Sequence, residues 1–301
     1  SELRLAAKSD PSLLPAVIDL AWRFAGGKSD YVIQAIQPRS AEAYKALAEY
    51  FKKQGNSEAA TTMLDAAGEP AEPERRAYLA HLIAAKDFRN AFRLWSKRHP
   101  PAPDTPMMSD GSFEEGSDLE EPGFGWRAQS KAQGLALALD GVNPKAGKWS
   151  VAVTFNGESD ASQPVISQLV MIEPRVHYQL HFAVRTEELV SGGLPYLAVT
   201  DATTQQQLGQ TAAFPRSSDW LDYTIDFTAP DAATAIQITL RRQPCNSAPC
   251  PAFGRLWVDG FGLETREQRS DNRGRTVELA LSNNTPSLPA SATKSGRCLA
   301  A

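Results

Sequence analysis

A helical-repeat arm followed by an antiparallel β-sandwich is the fold class this sequence predicts, a multidomain chain that is α first and β second. Three observations carry the prediction. From Leu3 to Lys97 apolar residues recur at helical spacing, with almost no strand alternation. From Leu135 onward the period changes to two. Between them, His99-Pro100-Pro101-Ala102-Pro103-Asp104-Thr105-Pro106 carries four prolines in eight positions, which stops a helix and favours extended backbone. The division that follows is helical repeats over 1–99, a proline-rich linker over 100–106, a sandwich over 107–264 and a polar, flexible tail over 265–301.

Length and composition agree with this division. A chain of 301 residues, 42% hydrophobic and 22% charged, holds enough apolar material for about two buried cores. No run approaches the roughly 18 uninterrupted apolar residues of a membrane helix, so no integral membrane segment is expected. A net charge of −4 gives no basic footprint for nucleic acid. The charge is also uneven. Residues 1–105 hold 15 basic and 13 acidic side chains, 106–264 hold 10 and 19, and 265–301 hold 6 and 3, which marks units with different surfaces. The chain opens at Ser1 without methionine or an apolar leader, as expected of a processed or excised fragment.

In the first unit, Ala43, Tyr44, Leu47, Ala48 and Phe51 form one apolar stripe, and Ala60, Met63 and Leu64 the next. A third runs through Ala77, Tyr78, Leu79 and Leu82 and resumes at Phe88, Ala91, Phe92 and Trp95. The breakers Gly55-Asn56 and Lys86-Asp87 stand 31 residues apart, and an earlier pair, around 12–25 and 29–36, turns at Gly26-Gly27. A period near 30 with a helix–turn–helix unit signifies an α-solenoid, and a small residue inside each second helix (Ala60, Ala91) lets the two helices pack closely. A plain helical bundle is the alternative. These residues resemble degenerate tetratricopeptide repeats over about a third of the chain, which implies a module for protein contacts.

In the second unit, period-two alternation appears in Trp149–Phe155, Tyr178–Val184, Leu221–Phe227 and Ile236–Arg241. Turn clusters at Gly141–Pro144, Glu173–Arg175, Ser191–Gly193 and Ala229–Asp231 separate them. Eight or nine strands, each with one apolar and one polar face, fit a two-sheet sandwich or jelly roll. Trp149 and Trp257 are expected in its core.

The order of features is more specific than the alternation. Gly111-Ser112-Phe113-Glu114 comes first, then Gly125-Trp126, the Trp149-Ser150-Val151 strand, Ser167-Gln168-Leu169-Val170, Tyr178–Phe182, and finally Leu256-Trp257-Val258-Asp259-Gly260-Phe261-Gly262-Leu263. This succession resembles the jelly-roll carbohydrate-binding modules of the family 4 and 9 type over roughly 107–264. The resemblance implies polysaccharide contact on the polar face or the loops. The candidates there are Gln168, His181, Arg185, Tyr196, Trp220, Gln237 and Arg241, whose amides, guanidinium forks and rings suit hydroxyls and sugar faces. It also implies a structural calcium where the first and last strands meet. Glu114 and Asp259 would hold the ion with the Ser112 carbonyl, since calcium takes six to eight oxygens, carboxylates included.

Chemistry beyond binding has little support. His81, His99, His177 and His181 are scattered, and none lies in a zinc-protease or nucleophile-elbow motif. His177 and His181 would share the polar face of one strand, as surface side chains or as half of a zinc pair. Cys245 and Cys250 flank a short loop containing Pro249, where a disulfide or half a zinc site would fit. A disulfide implies an oxidising, extracytoplasmic compartment. Cys298 is left over. The expectation is a non-catalytic extracytoplasmic protein whose sandwich recognises polysaccharide and whose repeats contact a protein. The alternative is a self-associating structural or assembly protein of the cell surface, without a sugar ligand.

Overall fold

The turn residues of the first unit set its architecture. The computed structural model describes residues 11–68, 72–99, 108–116, 118–128, 134–157, 160–246 and 250–266. The 100–106 linker, the tail beyond 266, Cys298 and Pro249 lie outside the described residues. Among the described residues six α-helices form three antiparallel pairs: α1 Leu14–Phe24 with α2 Ser29–Ile36, α3 Ala41–Lys53 with α4 Ser57–Ala66, and α5 Glu72–Ala84 with α6 Phe88–Ser96.

The 31-residue punctuation is visible atom by atom. Gly55 and Lys86 both take left-handed backbone, at φ 75° and 61°. The next residue caps the following helix in each case, Asn56 accepting from the Ala59 amide at 3.1 Å and Asp87 from the Asn90 amide at 3.4 Å. Ala60 and Ala91 then sit fully buried where their helices meet their partners. Trp22 of α1 packs on Tyr50 and Phe51 of α3, joining the first pair to the second.

The sandwich consists of two antiparallel five-stranded sheets. One has the order β1-β4-β9-β6-β7 (Arg127–Ala128, Ile166–Met171, Ala235–Arg242, Pro195–Asp201, Gln207–Gln210). The other has the order β2-β3-β10-β5-β8 (Leu135–Asp140, Ser150–Asn156, Ala252–Arg266, His177–Ser191, Ser218–Thr228). They are called the front and back sheets below. Val151, Val153, Tyr178, Leu180, Phe182, Ile236, Ile238, Leu240, Leu256 and Val258 fill the space between them. Trp126 lies at the edge of this core, its indole N–H donating to the Asp110 carbonyl. The alternation thus becomes two inner apolar faces and two outer, mostly polar ones.

Two tryptophans depart from the expected core placement. Trp149 is 41% exposed beside Gly141. Trp257 is only 3% exposed, yet it stands on the outer face of the back sheet under two arginines. An amphipathic ring satisfies the strand period equally well on either side if long side chains cover it.

Helices and sandwich are in direct contact. Phe92 and Trp95 of α6 close an aromatic cluster on Phe124. Leu169, Met171, Ala202 and Ala235 of the front sheet join the helical core. The 118–121 segment is tied to the helices by charge. Arg76 reaches Asp118 at 2.7 Å, buried Arg75 pairs with Glu72 and Glu121, and His99 approaches Glu121 at 3.3 Å.

Candidate functional site

Strand parity divides the sugar-contact candidates between two opposite outer faces. Tyr196, Gln237 and Arg241 project from the front sheet, and His181, Arg185 and Trp220 from the back sheet. Gln168 goes to neither. It is 1% exposed and turned inward, its amide N–H donating to the Ser109 carbonyl at 2.6 Å. Its expected place on the polar face is therefore wrong. Gln168 lies two residues from core Ile166 and Val170, and period two sends all three to the same side.

On the front sheet, Tyr196 and Arg241 are directly paired across β6 and β9. Tyr196 is half-buried, and among the described residues its ring and hydroxyl have no partner. The Arg241 Nε is buried without an acceptor. A cross-strand row runs from Arg127 through Ser167 and Thr239 to Ala198, and Gln237 follows two positions along β9. Beside Gln237, the α5–α6 turn leans on the sheet and encloses a cleft of about 210 Å³. Ile83, Ala84, Lys86 and Phe88 form its helical wall; Arg127, Ser167, Leu169, Ala202, Gln205 and Gln237 form the sandwich side. Lys86 reaches the Thr203 carbonyl at 2.5 Å across this boundary.

The back-sheet face is already filled by its own side chains. The Arg185 guanidinium lies 4.0 Å from the Trp257 ring centroid and 5.7 Å from that of Trp220. Arg255 covers Trp257 as well, at 5.4 Å. The Trp257 indole N–H donates to Asp140, and that of Trp220 to the Asn143 carbonyl. The His181 ring lies flat against Gly262, where any Cβ would collide with it. Guanidinium groups thus occupy positions over these rings that a sugar would need. His177 stands on this face too, with Thr228 and Asp226 as its polar neighbours.

Glu114 and Asp259 are brought to one loop, residues 145–149. Glu114 Oε1 accepts from the amides of Lys148 at 2.7 Å and Trp149 at 3.0 Å, which holds its carboxyl below the usual range. Gly147, at φ 65°, lets this carboxylate lie directly against the loop backbone. Asp259 is fully buried. Its Oδ2 accepts from the Lys145 and Ala146 amides at 2.9 and 3.1 Å, and its Oδ1 from Gly260 at 2.6 Å. Burial nevertheless pushes its pKa up, and the nearby charge of Glu114 adds to the rise. Ser112 is exposed on the adjoining turn, and the Gly111 carbonyl, one residue earlier, takes the Phe261 amide of β10. Among the described residues no three His, Cys, Asp or Glu side chains converge on a metal position. Both carboxylates are engaged by backbone amides, which neutralise part of their charge.

Cys245 and Cys250 are disulfide-bonded, with Cα atoms 5.6 Å apart. Sequence reasoning missed what anchors this loop. Arg242 is buried, and its Nη2 donates to Ser191 Oγ and the Cys250 carbonyl, both at 2.8 Å. Its Nε donates to the Gly193 carbonyl. Burial pulls its pKa down. The signal was present in principle, because strand parity puts Arg242 on the same side as Leu240 and Ile238.

Comparison with solved structures relates the sandwich to several sugar-binding modules. One is a family 4 carbohydrate-binding module, with TM-score 0.40 and 13% identity, covering 53% of this chain and 99% of the module. Another is a family 61 module in complex with β-1,4-galactotriose, at 0.38 and 16%, covering 54% and 100%. A third is the family 22 xylan-binding domain from Paenibacillus barcinonensis, at 0.33 and 15%, covering 52% and 91%. The likeness is one of fold, and the sugars named belong to those modules. No protein-family model matches the chain, and none of the curated proteins matches it. The six-helix region is unassigned.

Proposed function

We propose that this is a non-catalytic binding protein whose front sheet recognises polysaccharide. The observation that carries the reading is the Tyr196–Arg241 pair on the outer face of the front sheet: a ring without a partner among the described residues beside a guanidinium whose buried Nε has no acceptor. A sugar ring can stack on the tyrosine while its hydroxyls take the guanidinium, and the amide of Gln237, about 13 Å along β9, meets a later sugar of the same polymer. His181, Arg185 and Trp220 are then structural, since they are packed against one another or against backbone. The test is affinity electrophoresis of the full chain against a polysaccharide panel. Tyr196→Ala should abolish retardation and Trp220→Ala should leave it. The reverse pattern moves the site to the back sheet, and no retardation on any polymer removes the reading.

The same proposal includes an extracytoplasmic location, supported by the disulfide, and a structural calcium held by Glu114 and Asp259 with the Ser112 carbonyl. Bound there, calcium would neutralise the two carboxylates and fasten the 145–149 loop to β10. The helical arm is proposed to contact protein. A specific observation favours this second role, including self-association. Phe24 is 81% exposed, with Leu13, Leu20 and Tyr31 also exposed on α1, α2 and their approach. Sedimentation at high concentration tests the self-association. A monomer, unchanged by Phe24→Glu, would exclude it.

A further inference from the structure

The sandwich segment, 106–264, carries nine more acidic than basic side chains, yet no carboxylate lines the cleft between the α5–α6 turn and the front sheet. Two cations line it instead, Lys86 from the helical arm and Arg127 from β1. Lys86 is committed only to a neutral carbonyl, that of Thr203. Among the described residues Arg127 has no ion-pair or hydrogen-bond partner, and neither does Arg241. Register fixes their spacing. Arg127 and Arg241 are separated by two strand intervals, about 10 Å, and by two residues along the strand, about 7 Å. Lys86 and Arg127 thus stand at the cleft, with Arg241 about 12 Å further along the same face, in a segment with an acidic balance.

Lys86 and Arg127 are both exposed, so neither needs a counter-charge in order to fold, and both remain available to an anion that enters the cleft. We propose that the cleft takes an anionic glycan, a polymer whose sugars carry carboxylate groups, and that the helical arm supplies part of the site through Lys86. The inference rests on the glycan reading above and adds a ligand class to it. Arg127 and Arg241 can each offer a fork of two N–H donors to a carboxylate, and Lys86 a point charge. Tyr196 and Gln237 meet the uncharged parts of the same chain. On this view the arm is one wall of the sugar site as well as a spacer.

The experiment compares the intact chain on polygalacturonate, its fully methyl-esterified neutral form, and a sulfated dextran. Isothermal titration is run at low and high salt. The wild type should bind polygalacturonate at least about tenfold more tightly than the ester, and the preference should shrink as salt rises. Lys86→Gln combined with Arg127→Gln should remove that preference, bringing the affinity for polygalacturonate down to that for the ester. Arg255→Gln, on the opposite face, should change neither. Tighter binding to the sulfated polymer than to polygalacturonate, abolished by the same double variant, would keep the anionic site and overturn carboxylate as its ligand. Equal affinity for acid and ester overturns the inference and leaves the glycan reading standing. Binding to none of the three overturns the inference, and the polysaccharide panel decides the glycan reading separately.

Discussion

Replacing Asp259 by alanine tests most directly the junction between β10 and the β2–β3 loop at residues 145–149. The carboxylate is fully buried and is the acceptor for three backbone amides, those of Lys145, Ala146 and Gly260. At about 1 kcal/mol net for each bond, the variant should lose about 3 kcal/mol, reduced somewhat by relief of the buried charge. For a cooperative unit of this size that corresponds to a fall in Tm of about 6–12 °C, measured by calorimetry. Asp259→Asn should lose less, since its carbonyl keeps one side of the loop and only its amide opposes an N–H. The pH dependence has a definite sign. The folded carboxyl titrates above its ordinary value of 3.8, so its contribution to stability falls as pH rises from there through the folded value. Removing Asp259 should therefore steepen the loss of stability on the acid side. A variant that melts within about 2 °C of the parent would refute the bond count behind the estimate.

Four further outcomes are expected. Saturating calcium should raise the Tm of the parent, and Glu114→Gln should cancel that rise; identical melts with calcium and with chelator would remove the ion from this loop. Cys245→Ala with Cys250→Ala should cost about 2 kcal/mol by the loop-length relation for so short a loop, read by urea unfolding. Glu72 is held down to about 2 by Arg75 and Arg76, so its stabilisation is complete above 4.5 and is lost as pH falls towards 2. Glu72→Gln should flatten that part of the acid-unfolding curve. Phe124→Ala should cost about 3–5 kcal/mol, because it empties the aromatic contact between α6 and the sandwich. Separate melting of helices and sandwich in that variant would show that this contact couples them.

Much of the fold was legible because it rests on local rules. Gly55-Asn56 and Lys86-Asp87 announce a left-handed residue followed by a helix cap, and both do that in the structure. The alternating runs became the central strands. The two-residue β1 and four-residue β7 are too short for alternation to register, so ten strands exceed the eight or nine expected. The sugar-contact candidates were less legible, because alternation says which residues share a side and leaves open which side is covered. Gln168 followed its apolar neighbours inward, and Arg185 was absorbed into a stack with Trp220 and Trp257.

By itself, the sequence determined the order of helices and strands, their periods, the turn positions and the placing of Cys245 and Cys250 on either side of one short loop. Each depends on residues within a few positions of one another. Only the tertiary structure decided that Glu114 and Asp259 meet at the 145–149 loop, that Tyr196 faces solvent beside Arg241, and that Lys86 completes a cleft on the front sheet. These juxtapositions join residues from 34 to 151 positions apart. The register of paired strands and the packing of α6 on Phe124 set them, and no local pattern in the chain records either.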